Sequence, residues 1–268
     1  MGAMDLRGRW VLVTGASSGL GRAMAGILAR QHGANVIPVA RRADRLEALK
    51  RELEAETKVA VEPIAADLSR TAEVDRVLLE ALRRPVYGAV LNAGVTHFGE
   101  HRALPWEAFE SMLQTNVSGL VRMTNALVPY LAEMAPGGGI LLVSSMAGIM
   151  PLPYQAAYSG TKAFAVHFGR ALRQELGATD VSITVYAPGG IDTEMTSGES
   201  FRALRRWLMP VEEAARQGIE AFRRRKELHV PGASSKLGAL LWRVLPQRFV
   251  MSRVAASYRR ALGLARIG

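Results

Sequence analysis

The chain has 268 residues, 49% of them hydrophobic and 22% charged, which excludes a mainly disordered or collagen-like polypeptide. It has no cysteine, so disulfides, thiolate metal sites and cysteine nucleophiles are excluded. The net charge of +10 belongs to the end of the chain: residues 1–201 hold 19 Lys and Arg against 20 Asp and Glu, and residues 202–268 hold 15 against 4.

Residues 10–14 read as a β-strand, followed by a glycine-rich turn and a helical pattern through His32. A second apolar run spans 34–40. A helix follows over 41–57, with Leu46, Leu49 and Leu53 on one face. Residues 59–65 alternate like a strand, 71–82 are helical, and 87–91 form a strand ending at Asn92-Ala93-Gly94. The stretch 106–134 is one long helical pattern, broken near Pro129 at most. Strand 140–144, helix 155–176 and strand 181–186 come next. Residues 190–210 are polar and read as a mobile loop or short lid. Helix 211–226 and a last short strand at 228–230 complete the alternation. The strands are continuously apolar, which predicts an α/β architecture: one doubly wound parallel sheet with helices on both faces. No domain-sized linker or internal repeat divides it. The expected domain is 8–232, with a basic amphipathic extension over 233–268.

Three features carry chemistry. Gly15, Ser17, Ser18, Gly19, Leu20 and Gly21 form a turn between the first strand and the first helix. Glycines let the backbone approach a phosphate, and a helix start offers free N–H groups to a pyrophosphate. Tyr158 and Lys162 are four apart in a helical pattern, so an ammonium neighbours a phenol and is expected to lower its pKa. Ser145 ends an apolar strand, where a hydroxyl can bind a substrate oxygen; Ser144 is its rival. Asn116 sits inside a helical pattern that asparagine disfavours, which calls for a reason. Five histidines stand beside no nucleophile motif. His97 and His101, flanking Glu100, read as loop or surface residues, and no metal site is expected.

Together these motifs resemble the short-chain dehydrogenase/reductases over about residues 8–232. Thr14 to Gly21 is similar to the family's TGxxxGxG loop, and Asn92, Ala93 and Gly94 to its cofactor-contacting NAG turn. Asn116, Ser145, Tyr158 and Lys162 match its catalytic tetrad. Pro188 and Gly189, with Ile191 and Thr193, match the turn that holds the nicotinamide end. The resemblance implies a single-domain Rossmann fold and hydride transfer between a nicotinamide and a carbonyl or alcohol carbon. Tyr158 is then the general acid/base, Lys162 a ligand of the nicotinamide ribose, and Asn116 the support of a proton-relaying water. It also implies a homodimer or homotetramer through the helices at 106–134 and 156–176.

At the end of the second apolar run, the place of a ribose-binding carboxylate is taken by Ala40, followed by Arg41 and Arg42. A guanidinium there can grip a 2′-phosphate, so the expected cofactor is NADP(H). Asp67 and Leu68 match the family's adenine contacts. Met146, Met150, Leu152, Tyr154 and Met195, with residues 201–209, form the expected substrate walls, and their apolar, Met-rich character suits a lipophilic molecule.

The tail resembles the branch that includes 11-beta-hydroxysteroid dehydrogenase-like reductases. Leu237, Leu240, Leu241, Val244 and Leu245 share a helical face, and Val250, Val254, Tyr258 and Leu262 recur every four residues. Arginines 243, 248, 253, 259, 260 and 266 lie beside Trp242, Leu245 and Phe249. The extension is expected to pack on the domain, on a second subunit or peripherally on an anionic membrane. No nucleic-acid reader motif is present. With no apolar stretch of roughly 18 residues and no signal peptide, a cytoplasmic protein is expected. The alternative function is a non-catalytic NADP-binding regulator or scaffold on the same fold.

Overall fold

The computed structural model describes residues 2–177, 179–197 and 208–264. Seven parallel strands form one sheet in the order β3-β2-β1-β4-β5-β6-β7. They are β1 (Trp10–Thr14), β2 (Asn35–Ala40), β3 (Ile64–Ala65), β4 (Val86–Leu91), β5 (Gly139–Val143), β6 (Ser182–Tyr186) and β7 (Leu228–His229). Helices α1 (Gly19–His32), α2 (Ala43–Glu56), α3 (Thr71–Ala81), α4 (Trp106–Leu113), α5 (Gly119–Met134), α6 (Met146–Ile149), α7 (Ala156–Glu175) and α8 (Val211–Arg223) connect them. This is the Rossmann-like, doubly wound arrangement.

Both faces of the sheet are buried, which is why the strands read as unbroken apolar runs. Alternate side chains serve opposite layers. Val11, Val13, Leu141 and Val143 pack with Met24, Leu28, Ile219 and Phe222 of α1 and α8. Leu12, Ile140 and Leu142 pack with Val74, Val77, Leu127 and Ala165 of α3, α5 and α7. The strand order reverses between β1 and β4. A crevice opens beyond the carboxyl ends of strands at such a point.

Three segments differ from the sequence expectation. Only Ile64–Ala65 of the predicted strand 59–65 pairs regularly; Val61 makes an isolated bridge to Val36. The long helix is interrupted not at Pro129, which lies inside α5, but by a π-turn at Gln114–Ser118. There the Gly119 N–H donates to the carbonyl of Gln114, five residues back. Such bulges are rare and frequent at functional sites, and the Asn116 side chain ties this one to its neighbours through bonds described below. Of the polar segment 190–210, residues 198–207 lie outside the described residues; Glu194–Thr196 is a 3-10 turn, and Met209 pairs with Ile191.

The extension folds as two helices, α9 (Ala233–Val244) and α10 (Gln247–Ala261). The start of α9 lies on the turn after β6: a Cβ built at Gly189 would stand 2.5 Å from Ser235 Oγ. From α10, Tyr258 packs edge-on against Phe98, with ring centroids 5.1 Å apart, and Arg259 Nε donates to the Tyr154 hydroxyl at 3.1 Å. Among the described residues, no helix is long and apolar enough to cross a membrane.

Candidate active site

A cleft of about 880 Å³ lies over the carboxyl ends of β1, β2, β4, β5 and β6. Its floor at one end is the β1–α1 turn. Gly15 and Gly19 adopt φ of 70° and 53°, which favour glycine. A Cβ at Gly21 would stand 2.4 Å from the Gly15 carbonyl and 2.5 Å from Asn92 Nδ2, so the loop closes this tightly only with glycine there. Ser18, at the N-cap of α1, makes no side-chain cap. The first N–H groups and the positive dipole end therefore remain available to an anion.

The Asn92-Ala93-Gly94 turn is stitched to β1. Thr14 Oγ1 accepts from the N–H groups of Asn92 and Ala93, each at 2.9 Å, and Asn92 Nδ2 donates to the Thr14 carbonyl at 3.0 Å. This network holds open the crevice between β1 and β4. Beside it, Ala40, Arg41 and Arg42 line the cleft. Arg42 is committed differently: its guanidinium donates to Ser17 Oγ and to Ser18 Oγ, at 2.9 and 2.7 Å, and pairs with Glu194 at 3.1 Å. It braces the turn, while Arg41 is exposed at the rim. Asp67, whose carboxylate accepts from the N–H and hydroxyl of Ser69 at 3.1 and 2.8 Å, and Leu68 complete this end.

The other end holds Ser145, Tyr158 and Lys162. Ser145 caps α6, its Oγ accepting from the Ala147 N–H at 3.1 Å, and its hydroxyl lies against the Tyr158 phenol. Ser144 is turned inward instead, donating to the Lys162 carbonyl at 2.7 Å. Tyr158 and Lys162 are one turn apart on α7, with Nζ 5.8 Å from the phenol ring centroid. Nζ donates to the Val143 carbonyl at 3.0 Å, and the lysine is only 5% exposed.

The expected acidic phenol is corrected here. Burial pushes the Tyr158 pKa above its ordinary value, and the Ser145 hydrogen bond only partly opposes this. Burial also lowers Lys162, to about 8. Desolvation disfavours the charged form of each group. The phenol is therefore protonated at neutral pH, which is the form that donates to a carbonyl oxygen.

Asn116 does not line the cleft; it acts from behind. Its Oδ1 accepts from the Val95 N–H and its Nδ2 donates to the Val95 carbonyl, both at 2.9 Å, and to Thr161 Oγ1 at 3.0 Å. These bonds join the π-turn, the segment after β4 and α7, the helix that carries Tyr158 and Lys162. A Cβ at Gly94 would stand 3.2 Å from both Asn116 Oδ1 and Lys162 Nζ.

Pro188, Gly189, Ile191 and Thr193 line the same end, with the Pro188 carbonyl accepting from the Met146 N–H at 2.7 Å. Of the expected substrate walls, Met146, Met150, Leu152 and Met195 reach the cleft. Tyr154 does not. Its φ of 64° and its bond to Arg259 turn it to the tail. Residues 201–207 lie outside the described residues. Sequence reasoning missed Thr96, Ser111, Thr115 and Gln155, polar groups on the cleft wall, and Tyr258, which enters from the tail. Gln155, 8% exposed and three residues before Tyr158, sits at the entry to α7, a position that can be read from helix spacing. Nothing local marks Tyr258.

A glycine cradle, an uncapped helix start and a Ser-Tyr-Lys group with its lysine buried, all in one crevice, define a nucleotide-binding oxidoreductase site. The comparisons agree. A family model described as short chain dehydrogenase matches residues 9–202. An uncharacterized oxidoreductase of Myxococcus xanthus (strain DK1622) is 39% identical over 195 residues, covering 72% of this chain and 76% of its own. A sulfoacetaldehyde reductase of Chromohalobacter salexigens is 38% identical over 192 residues, covering 69% and 74%. A short-chain dehydrogenase from Sphingobium yanoikuyae, solved in complex with NADPH, superposes with a TM-score of 0.78 at 30% identity, over 91% of this chain and 95% of that one. The chain belongs to the short-chain dehydrogenase/reductase family.

Proposed function

We propose that this oxidoreductase uses NADP(H) to interconvert a carbonyl and an alcohol on a lipophilic small molecule. One observation carries the reading: the glycine cradle and the Ser145-Tyr158-Lys162 group share a single cleft, at opposite ends. The cleft fits a dinucleotide, because any Cβ at Gly21 would fill the cradle and the N-terminus of α1 is left without a side-chain cap. The bound cofactor supplies the reducing equivalent.

The chain's own residues do the rest. Gly15, Ser17, Ser18, Gly19, Leu20 and Gly21 hold the pyrophosphate. Ala40 leaves room where a carboxylate would repel a 2′-phosphate, and Arg41, exposed at the rim, pairs with it. Asp67 and Leu68 meet the adenine, Asn92, Ala93 and Gly94 the centre, and Pro188, Gly189, Ile191 and Thr193 the nicotinamide end. Ser145 donates to the substrate oxygen and Tyr158 delivers its proton there in the reductive direction. Lys162, as ammonium, stabilises the phenolate left behind and holds the ribose. Met146, Met150, Leu152 and Tyr258 surround the substrate with apolar surface. Trp106, Met134 and Phe164 are 64%, 69% and 39% exposed on α4, α5 and α7, which supports a second copy against these helices.

The test follows NADPH and NADH oxidation with a panel of lipophilic ketones and aldehydes. Turnover with NADPH that Tyr158→Phe abolishes is expected. NADPH binding without turnover on any compound, unchanged by Tyr158→Phe, would instead establish the non-catalytic alternative.

A further inference from the structure

The apolar stripe of α9 faces the wrong way for a simple core-packed extension, whereas Val250, Val254 and Tyr258 of α10 are half-buried. In α9, Leu237, Leu240, Leu241 and Val244 recur at helical spacing and are 54%, 54%, 39% and 65% exposed. Leu245, 37%, and Phe249, 50%, continue the patch across the turn into α10. An amphipathic helix ordinarily buries this stripe against its domain. Here the side toward the domain carries Ser235 and Gly238, the latter's missing Cβ 3.9 Å from Met146 Cε.

The charge around the patch has one sign. Residues 233–264 contain Lys236, Arg243, Arg248, Arg253, Arg259 and Arg260 and no Asp or Glu. Arg259 is engaged with Tyr154, and Arg253 lies 5.1 Å over the Phe249 ring. Arg243 and Arg248, both exposed, flank the leucines.

We propose that this face of α9 and the α9–α10 turn docks on an anionic phospholipid surface. The leucines and Phe249 enter the boundary between headgroups and acyl chains, and the arginines pair with lipid phosphates. A second copy of the chain fits less well. A two-fold contact through this patch sets arginine against arginine with no carboxylate in the tail to separate them, and like charges across an interface oppose association. Phosphate-bearing lipid supplies both the negative charge and the apolar layer. The inner side of α10 places Tyr258 in the cleft, so one helical pair carries both the docking face and part of the cleft wall.

The experiment is cosedimentation of the full chain with vesicles of phosphatidylcholine alone and of phosphatidylcholine mixed with phosphatidylglycerol, read without substrate and so independently of the proposed function. Binding to the mixed vesicles at least about tenfold tighter, and weakened by salt, is expected. Two variants, Leu237→Ser/Leu241→Ser/Val244→Ser and Arg243→Glu/Arg248→Glu, should each lose about tenfold or more while keeping the melting temperature. Equal binding to both vesicle types, no binding, or full binding by either variant would overturn the proposal. So would a dimer in sedimentation velocity that the serine variant splits, with no vesicle binding by the wild type.

Discussion

Replacing Lys162 by methionine should make the protein more stable while removing its activity. The lysine ammonium is buried, with the Val143 carbonyl as its hydrogen-bond acceptor, and burial lowers its pKa from 10.5 to about 8. That difference corresponds to about 3 kcal/mol of penalty on the charged form. Methionine fills a similar volume and avoids the penalty, but leaves the Val143 carbonyl without this donor, which costs about 1 kcal/mol. A net gain of about 2 kcal/mol at neutral pH is expected, seen as roughly 5 °C in the melting temperature of a chain this long. The pH dependence has a definite sign. Between about pH 8 and 10.5 the unfolded chain holds more protons on this lysine than the folded one, so wild-type stability rises with pH across that window. The variant lacks the rise, and the gap closes toward pH 10. Above that value the raised pKa of Tyr158 acts in the opposite sense, so the comparison is made below it. Thermal and urea unfolding of both proteins from about pH 7 to 10 measure this. A variant no more stable at pH 7, or a gap that stays constant with pH, would refute the account of a strained, desolvated ammonium.

Arg41→Ala should raise KM for NADPH by roughly ten- to a hundredfold, the loss of a charge-assisted phosphate contact, with NADH kinetics unchanged; comparable losses with both cofactors would contradict the assigned role. Gly21→Ala should destabilise by about 1–3 kcal/mol and weaken dinucleotide binding, because its Cβ meets the Gly15 carbonyl at 2.4 Å; denaturant titration and fluorescence of bound NADPH report the two effects. Tyr258→Ala should raise KM for bulky ketones and leave small aldehydes nearly unchanged, since Tyr258 lines the cleft from the tail; a uniform fall in kcat would argue against a wall position. His229 has its pKa lowered to about 4 by burial and by Lys226 and Lys236, and its Nε2 is buried without a hydrogen-bond partner among the described residues. Between about pH 4 and 6.5 the unfolded state therefore binds more protons, and stability falls as pH drops through that window; His229→Phe should flatten this limb of an acid-denaturation curve.

Periodicity and glycine spacing are local properties, and what they encode was legible in the chain itself. Continuous apolar strands alternating with amphipathic helices specify a parallel sheet covered on both sides, because only burial on both faces tolerates such strands. The turn from Gly15 to Gly21, the four-residue step from Tyr158 to Lys162, and Ala40 before Arg41 each place their groups through backbone geometry alone. Tertiary structure decided whatever depended on distant partners. The π-turn at Asn116 exists because Val95 and Thr161 receive its side chain. Arg42 stays in the cleft lining braced on Ser17 and Ser18, and Tyr154 turns to Arg259, because those partners are supplied from elsewhere in the chain. The protonation of Tyr158 and Lys162 likewise follows from burial, which adjacency in sequence does not reveal, and it reversed the expected direction for the phenol. Tyr258 reaches the cleft across a hundred residues of intervening chain, a placement that only the packing of α10 could produce.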